Sequence, residues 1–194
     1  VRSKWGNCVA MKDLTKAVSG ALDLSVMAHK DSRTFIGKDS TEVIYEEEPM
    51  FHAVHGVAKL TKDGAAVSGD NFSCMEKEDG ELVLSLSDGM GSGVRACRES
   101  ELVLDLLERF IEVGFTKETA IKMLNSAMVI CGEDEGYSTV DITSVNLYTG
   151  ETDFYKIGAS ATFIRHEDRR VECLVSTSLP VGAAVEVEIE QAKK

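Results

Sequence analysis

The sequence predicts an α+β domain built in layers, and three observations predict it. Runs of alternating polarity lie on both sides of residues 101–128, which themselves carry two consecutive helical patterns. Strands, two helices, then strands is an order that suits a layered α+β domain better than the strict alternation of a parallel sheet. An acidic run, Glu46-Glu47-Glu48, is closed by Pro49 and marks a boundary with the residues before it, because proline cannot donate to a sheet.

The elements follow in chain order. From Val9 to about Leu24, Ala10, Leu14, Ala17, Val18, Ala21 and Leu22 recur at helical spacing with Lys12, Asp13 and Lys16 turned outward, which predicts one amphipathic helix. Asp31 to Pro49 is polar. Strand-like stretches follow at Phe51–Leu60, Asn71–Lys77 and Leu82–Ser87, and then the turn Gly89-Met90-Gly91-Ser92-Gly93. The next helix buries Val103, Leu104, Leu107, Phe110 and Ile111, with Gly114 as its stop. A further helix starts from Thr116 as N-cap and buries Ala120, Ile121, Leu124, Ala127 and Met128. From Thr139, short runs at Val140–Tyr148, Asp153–Gly158, Ala161–His166, Val171–Val175 and Val185–Ile189 predict an antiparallel meander.

Composition excludes several classes. The 194 residues carry 21 Lys and Arg against 33 Asp and Glu, a net charge of −12, with no basic run to neutralise phosphates, so nucleic acid is not an expected partner. No apolar stretch approaches a membrane span, and Val1 opens neither a signal peptide nor a targeting motif. The chain is open to being a piece of a longer protein. Five cysteines without a C-x-x-C pair predict reduced thiols of a cytosolic compartment, serving as core fillers.

The segment from Gly69 to Gly89 can be tested by counting. A two-residue Asp79-Gly80 turn would set Lys77 against Leu82 and Phe72 against Ser87. A three-residue Glu78-Asp79-Gly80 loop with Gly80 left-handed pairs Lys77 with Glu81, Met75 with Val83, Glu76 with Leu82, Cys74 with Leu84 and Phe72 with Leu86. The second register separates apolar from polar and matches opposite charges, so it is preferred. Carried to the open end, it sets Asp70 across from Asp88 on the apolar face, with Cβ atoms about 4.5–5.5 Å apart. Two carboxylates that close raise one another's pKa unless a cation lies between them. Oxygen ligands favour Mg²⁺ or Mn²⁺. Against this, Asp88-Gly89 alone reads first as a turn dipeptide.

Val67-Ser68-Gly69-Asp70-Asn71, Leu84-Ser85-Leu86-Ser87-Asp88-Gly89-Met90-Gly91-Ser92-Gly93 and Glu99-Ser100 are followed by Ala120-Ile121-Lys122-Met123-Leu124-Asn125-Ser126, Tyr137-Ser138-Thr139-Val140-Asp141, Lys156-Ile157-Gly158-Ala159 and Ser178-Leu179-Pro180-Val181-Gly182. In content and order this set resembles the stage II sporulation protein E phosphatase domain, of the metal-dependent phosphatase 2C superfamily, over Val54–Gly182. The resemblance implies an α-β-β-α sandwich with a binuclear Mn²⁺ or Mg²⁺ centre. It implies hydrolysis of phosphoserine or phosphothreonine on a protein by a metal-bound hydroxide, without a covalent intermediate. Asp70 matches the first metal-binding aspartate, Asp88 the bridging aspartate, and Gly89 the glycine whose carbonyl joins the coordination, which makes Asp70 and Asp88 the candidate catalytic residues.

The resemblance further implies a phosphorylated anti-anti-sigma factor as substrate in sporulation control, and a cytoplasmic domain whose parent sits at the cell membrane. Residues 1–45 are then an N-terminal regulatory or linker segment and 46–194 the phosphatase domain, with a homodimer among the candidate assemblies. The family carries further metal-binding aspartates beyond the match to Gly182, in a second Ser-Asp-Gly-like motif and a final Asp-Asp pair. Lys194 precedes both, so the chain is expected to hold part of the metal site and to lack the closing strands. The alternative is a non-catalytic regulatory or dimerisation module that retains the fold. Three other motifs are set aside. Gly89-x-Gly91-x-Gly93 has Val94 where a dinucleotide fingerprint needs its third glycine. His52 and His55 would point to opposite sides of a strand, and Ser138 and Thr139 have no histidine near them in sequence to act as a base.

Overall fold

The computed structural model describes residues 1–4, 7–61, 67–131 and 136–194, which fall into two compact units, Val1–Met50 and Phe51–Lys194. In the first, β1 (Val9–Ala10) leads into α1 (Met11–Leu22), followed by β2 (Val26–Ala28), β3 (Phe35–Ile36) and β4 (Tyr45–Glu47). β1 pairs with β3 and β2 with β4, both antiparallel. Val26 and Ile36 are buried, whereas α1 buries no residue fully. The polar stretch 31–49 thus contains strands that its local pattern does not announce, because their pairing partners lie far away in sequence.

The second unit contains β5 (Asp70–Glu76), β6 (Glu81–Asp88), α2 (Val94–Glu112), α3 (Lys117–Cys131), β7 (Val140–Asn146), β8 (Thr152–Ile157), β9 (Thr162–Arg165), β10 (Val171–Leu174) and β11 (Glu190–Lys193). Five strands form an antiparallel sheet in the order β11-β8-β7-β6-β5. Both helices pack on one face, where Val103, Leu107, Ile111, Ala120, Ile121 and Leu124 meet Val83, Val140, Ile142 and Ile157. α2 ends as its sequence predicts. Gly114 has φ 94°, its N–H reaches Ile111 O at 3.0 Å, and the Phe115 N–H reaches Phe110 O at 3.0 Å, the paired bonds of a Schellman stop. Thr116 caps α3 by accepting the Thr119 N–H on its hydroxyl at 3.3 Å.

Four expectations are corrected. Phe51–Leu60 forms no strand; all ten residues are exposed, since alternation alone does not hold a strand that finds no partner. The last strand falls at Glu190–Lys193 rather than Val185–Ile189, because Val187 and Ile189 pack against the core instead. The C-terminal strands are not one meander, as β9 and β10 leave the sheet to pair with each other. Cys8, Cys74 and Cys173 are exposed and Cys97 is half-buried, all as free thiols, so they do not fill the core; the Cys131 side chain lies outside the described residues. Among the described residues no helix is long and apolar enough to cross a membrane.

Candidate metal centre

The β5–β6 hairpin adopts the three-residue loop. Gly80 has φ 74°, the Lys77 N–H donates to Glu81 O at 2.8 Å, and the Gly80 N–H donates to Lys77 O at 3.1 Å. Lys77 Nζ also reaches Glu81 at 2.9 Å and Asp79 at 2.8 Å. The partners are Glu76↔Leu82, Met75↔Val83, Cys74↔Leu84, Phe72↔Leu86 and, at the open end, Asp70↔Asp88.

The face on which the two aspartates lie is not the helix-covered core face. Ser85 pairs with Ile142 and Ile142 with Tyr155, so these share a face, and Ile142 and Tyr155 belong to the core beneath the helices. Ser85 and Ser87 are therefore buried. Phe72 and Leu86 on the opposite face remain 46% and 56% exposed. Hydrophobic contrast within the hairpin predicted the reverse, but the apolar residues of β7 and β8 decide which side the helices cover.

Polar contacts fix the open end. Ser68 Oγ donates to Asp70 Oδ2 at 2.9 Å. Asn71 Nδ2 donates to Cys97 O at 2.9 Å and Ser100 Oγ at 2.8 Å, and the buried Ser100 hydroxyl donates to Gly69 O at 2.5 Å. These bonds tie β5 to the first half of α2. On the other side the Asp88 N–H donates to Thr139 Oγ1 and the Thr139 N–H to Asp88 O, each at 2.9 Å. Gly89 donates its N–H to Gly69 O at 3.2 Å and pairs with Ser138 in a single bridge. A Cβ on Gly89 would stand 2.0 Å from Ala96 O, so only glycine allows α2 to pass this close.

Partial burial, then the facing Asp70 charge and a hydrogen bond shared with it, push the Asp88 carboxyl above its ordinary range. A divalent cation relieves that conflict. The Asp70 and Asp88 carboxylates and the Gly89 carbonyl are oxygen donors, a set that fits Mg²⁺ or Mn²⁺. Among the described residues no group of three or more His, Cys, Asp or Glu comes together.

Asp141 escaped the sequence reasoning. It pairs with Leu86 and with Lys156 across the strands, which places it on the same face as Asp88, one step along the sheet. Lys156, only 3% exposed, binds Asp141 Oδ2 at 2.5 Å and Thr162 Oγ1 at 2.8 Å, while Asp141 Oδ1 is buried without a hydrogen-bond partner. The lysine neutralises this third carboxylate. Its only signal is the register of β7 on β6, a long-range property. The remaining candidates do not converge on the site: His52 and His55 are exposed in the irregular stretch, His55 lying 3.7 Å from Cys74 Sγ. Ser138 is buried and Thr139 holds Asp88.

Residues 78–194 match the family described as Stage II sporulation protein E (SpoIIE). The stage II sporulation protein E of Priestia megaterium is 37% identical over 135 residues, covering 70% of this chain and 23% of that protein. The chain thus spans about a quarter of the length of that relative. The solved PP2C phosphatase domain, with a fragment of the regulatory domain, of the cell fate determinant SpoIIE from Bacillus subtilis superposes with a TM-score of 0.69 at 27% identity, covering 99% of this chain and 60% of that one. RsbX, solved in complex with magnesium, shares the fold at a TM-score of 0.56 and 23% identity, covering 69% of this chain and 64% of that one.

Proposed function

Because the chain belongs to the stage II sporulation protein E family, we propose that residues 46–194 are part of a metal-dependent phosphatase domain acting on phosphoserine or phosphothreonine in a protein. Residues 1–45 would serve as the regulatory or linker segment. The observation that carries the reading is the register that sets Asp70 across from Asp88 at the edge of the Gly89 turn. The PP2C fold of the relatives supports it.

Asp70, Asp88 and the Gly89 carbonyl would hold Mn²⁺ or Mg²⁺ in a binuclear centre; magnesium is the ion named with RsbX. Such an ion lowers the pKa of water and offsets the charge developing on a phosphoryl group. The chain's own residues supply position. Ser68 orients Asp70, Thr139 holds the Asp88 backbone, and Gly69 and Ala96 fix Gly89 from either side. The substrate would be a phosphorylated anti-anti-sigma factor, and the parent protein would sit at the cell membrane.

The test is Mn²⁺-dependent release of phosphate from a phosphoserine protein by the protein that carries this chain, taken at its full natural length. Asp88→Asn should lower turnover by more than the roughly 10- to 100-fold typical of losing an outer partner of a metal ligand. Unchanged turnover in that variant refutes the assignment. Parent protein that binds the phosphoprotein yet never releases phosphate would favour the non-catalytic module.

A further inference from the structure

Asn125 lies on α3 and is 2% exposed. Its amide makes three bonds to one stretch of backbone: Nδ2 donates to Ala184 O at 3.0 Å and Val185 O at 3.1 Å, and Oδ1 accepts the Gly182 N–H at 2.9 Å. Gly182 has φ 86°, and a Cβ there would stand 2.9 Å from Gly136 O, so this turn is tightly seated.

The residue before the turn connects it to the candidate metal centre. Val181, fully buried, exchanges two backbone bonds with Ser138, Ser138 N–H to Val181 O at 3.2 Å and Val181 N–H to Ser138 O at 3.0 Å. Ser138 in turn bridges to Gly89, flanked by the Thr139 N–H on Asp88 O at 2.9 Å and the Met90 N–H on Tyr137 O at 3.1 Å. The Gly89–Ser138 bridge carries on the register of β6 on β7, three residues past the Leu86–Asp141 pair, whereas the Ser138–Val181 bridge belongs to no strand ladder. Among the described residues the Ser138–Val181 bridge has no neighbouring rungs to keep its register, so its outer member, Val181, depends on what holds the turn that follows it. Asn125 is the side chain bonded to that turn, at Gly182, Ala184 and Val185.

We propose that Asn125 is a positioning residue: through the Val181–Ser138–Gly89 rung it keeps the Asp88 and Gly89 donors in place for the metal. This rests on the reading of Asp70, Asp88 and Gly89 as metal-holding residues. A residue that merely satisfies buried carbonyls would loosen residues 182–185 when replaced and leave Gly89 as it was.

Asn125→Asp keeps an acceptor for Gly182 and removes both donated bonds; Asn125→Ala removes all three. Residue-resolved amide hydrogen exchange and direct Mn²⁺ titration are measured on the same chain beside Asp88→Asn. The expected result is at least about tenfold faster exchange at Val181, Ser138, Thr139 and Met90, with Val83 and Ile142 unchanged. Mn²⁺ binding should weaken by about tenfold, the scale of losing an outer partner of a ligand. Parent-like exchange at Ser138, Thr139 and Met90 in both variants overturns the proposal. So does faster exchange with undiminished Mn²⁺ binding, where Asp88→Asn has lost it. If Asp88→Asn binds Mn²⁺ like the parent, the metal-site reading fails by itself, and the exchange data still decide whether Asn125 holds the rung.

Discussion

Replacing Gly89 with alanine isolates the close approach of α2 to the end of β6. Gly89 is not among the glycines with positive φ, so alanine brings no backbone penalty and the effect is steric. The new Cβ would stand 2.0 Å from Ala96 O and 2.7 Å from its carbonyl carbon. Real Cβ atoms essentially never come within 3.0 Å of such neighbours, so about 1 Å of backbone movement is required. α2 cannot supply it freely, because Asn71 binds Cys97 O and Ser100 binds Gly69 O. Overpacking at about 1–3 kcal/mol, plus one or two strained hydrogen bonds at about 1 kcal/mol each, gives a loss of about 3 kcal/mol. For a chain of this size that corresponds to roughly 6–12 °C in Tm. Gly91→Ala is the control: its φ is 95° but no atom lies within 4 Å of the added Cβ, so it should cost only about 1 kcal/mol of backbone strain. Urea and thermal unfolding followed by circular dichroism measure both. A Gly89→Ala variant within 0.5 kcal/mol of the parent, or no worse than Gly91→Ala, refutes the steric argument, 0.5 kcal/mol being about the scale of an ordinary surface substitution.

Gly80→Ala should cost about 1–2 kcal/mol, since alanine resists the left-handed φ of 74° and its Cβ would meet the Tyr148 ring at 2.3 Å; an unchanged urea midpoint would count against the bulged loop. Burial raises the Glu81 carboxyl, but hydrogen bonds from Lys117, Ser144 and Lys77 outweigh it and hold its pKa at about 2, against the ordinary 4.5. The folded value is the lower one, so this stabilisation is fully present above pH 4.5 and is lost as pH falls toward 2. With allowance for solvent screening it amounts to about 1–2 kcal/mol. Glu81→Gln should flatten the acid limb of a stability–pH curve, and an identical limb would show that the cluster contributes nothing. Lys156→Met leaves Asp141 buried and unpaired, at a cost of about 3–5 kcal/mol, whereas Lys156→Met with Asp141→Leu should recover most of it; equal losses in chemical denaturation would show that the ion pair is not what the single variant breaks.

The residues of the candidate centre divide by the range of the forces that place them. Local pattern is enough to specify the hairpin register, and with it the meeting of Asp70 and Asp88, because a side-chain period of two and one left-handed glycine leave little freedom over so short a span. The end of α2 at Gly114 and the cap of α3 at Thr116 were legible for the same reason: each is a bond between residues three to five apart. Tertiary structure alone decided which face of that hairpin the helices cover, since Ile142 and Tyr155 outweigh Phe72 and Leu86 only once β7 and β8 have joined the sheet. It also decided that Phe51–Leu60 has no strand to pair with, that Lys156 neutralises Asp141, and that Asn125 reaches residues 57 to 60 positions away in the chain. None of these has a local signature, because each is a contact between segments whose separation in sequence says nothing of their distance in space.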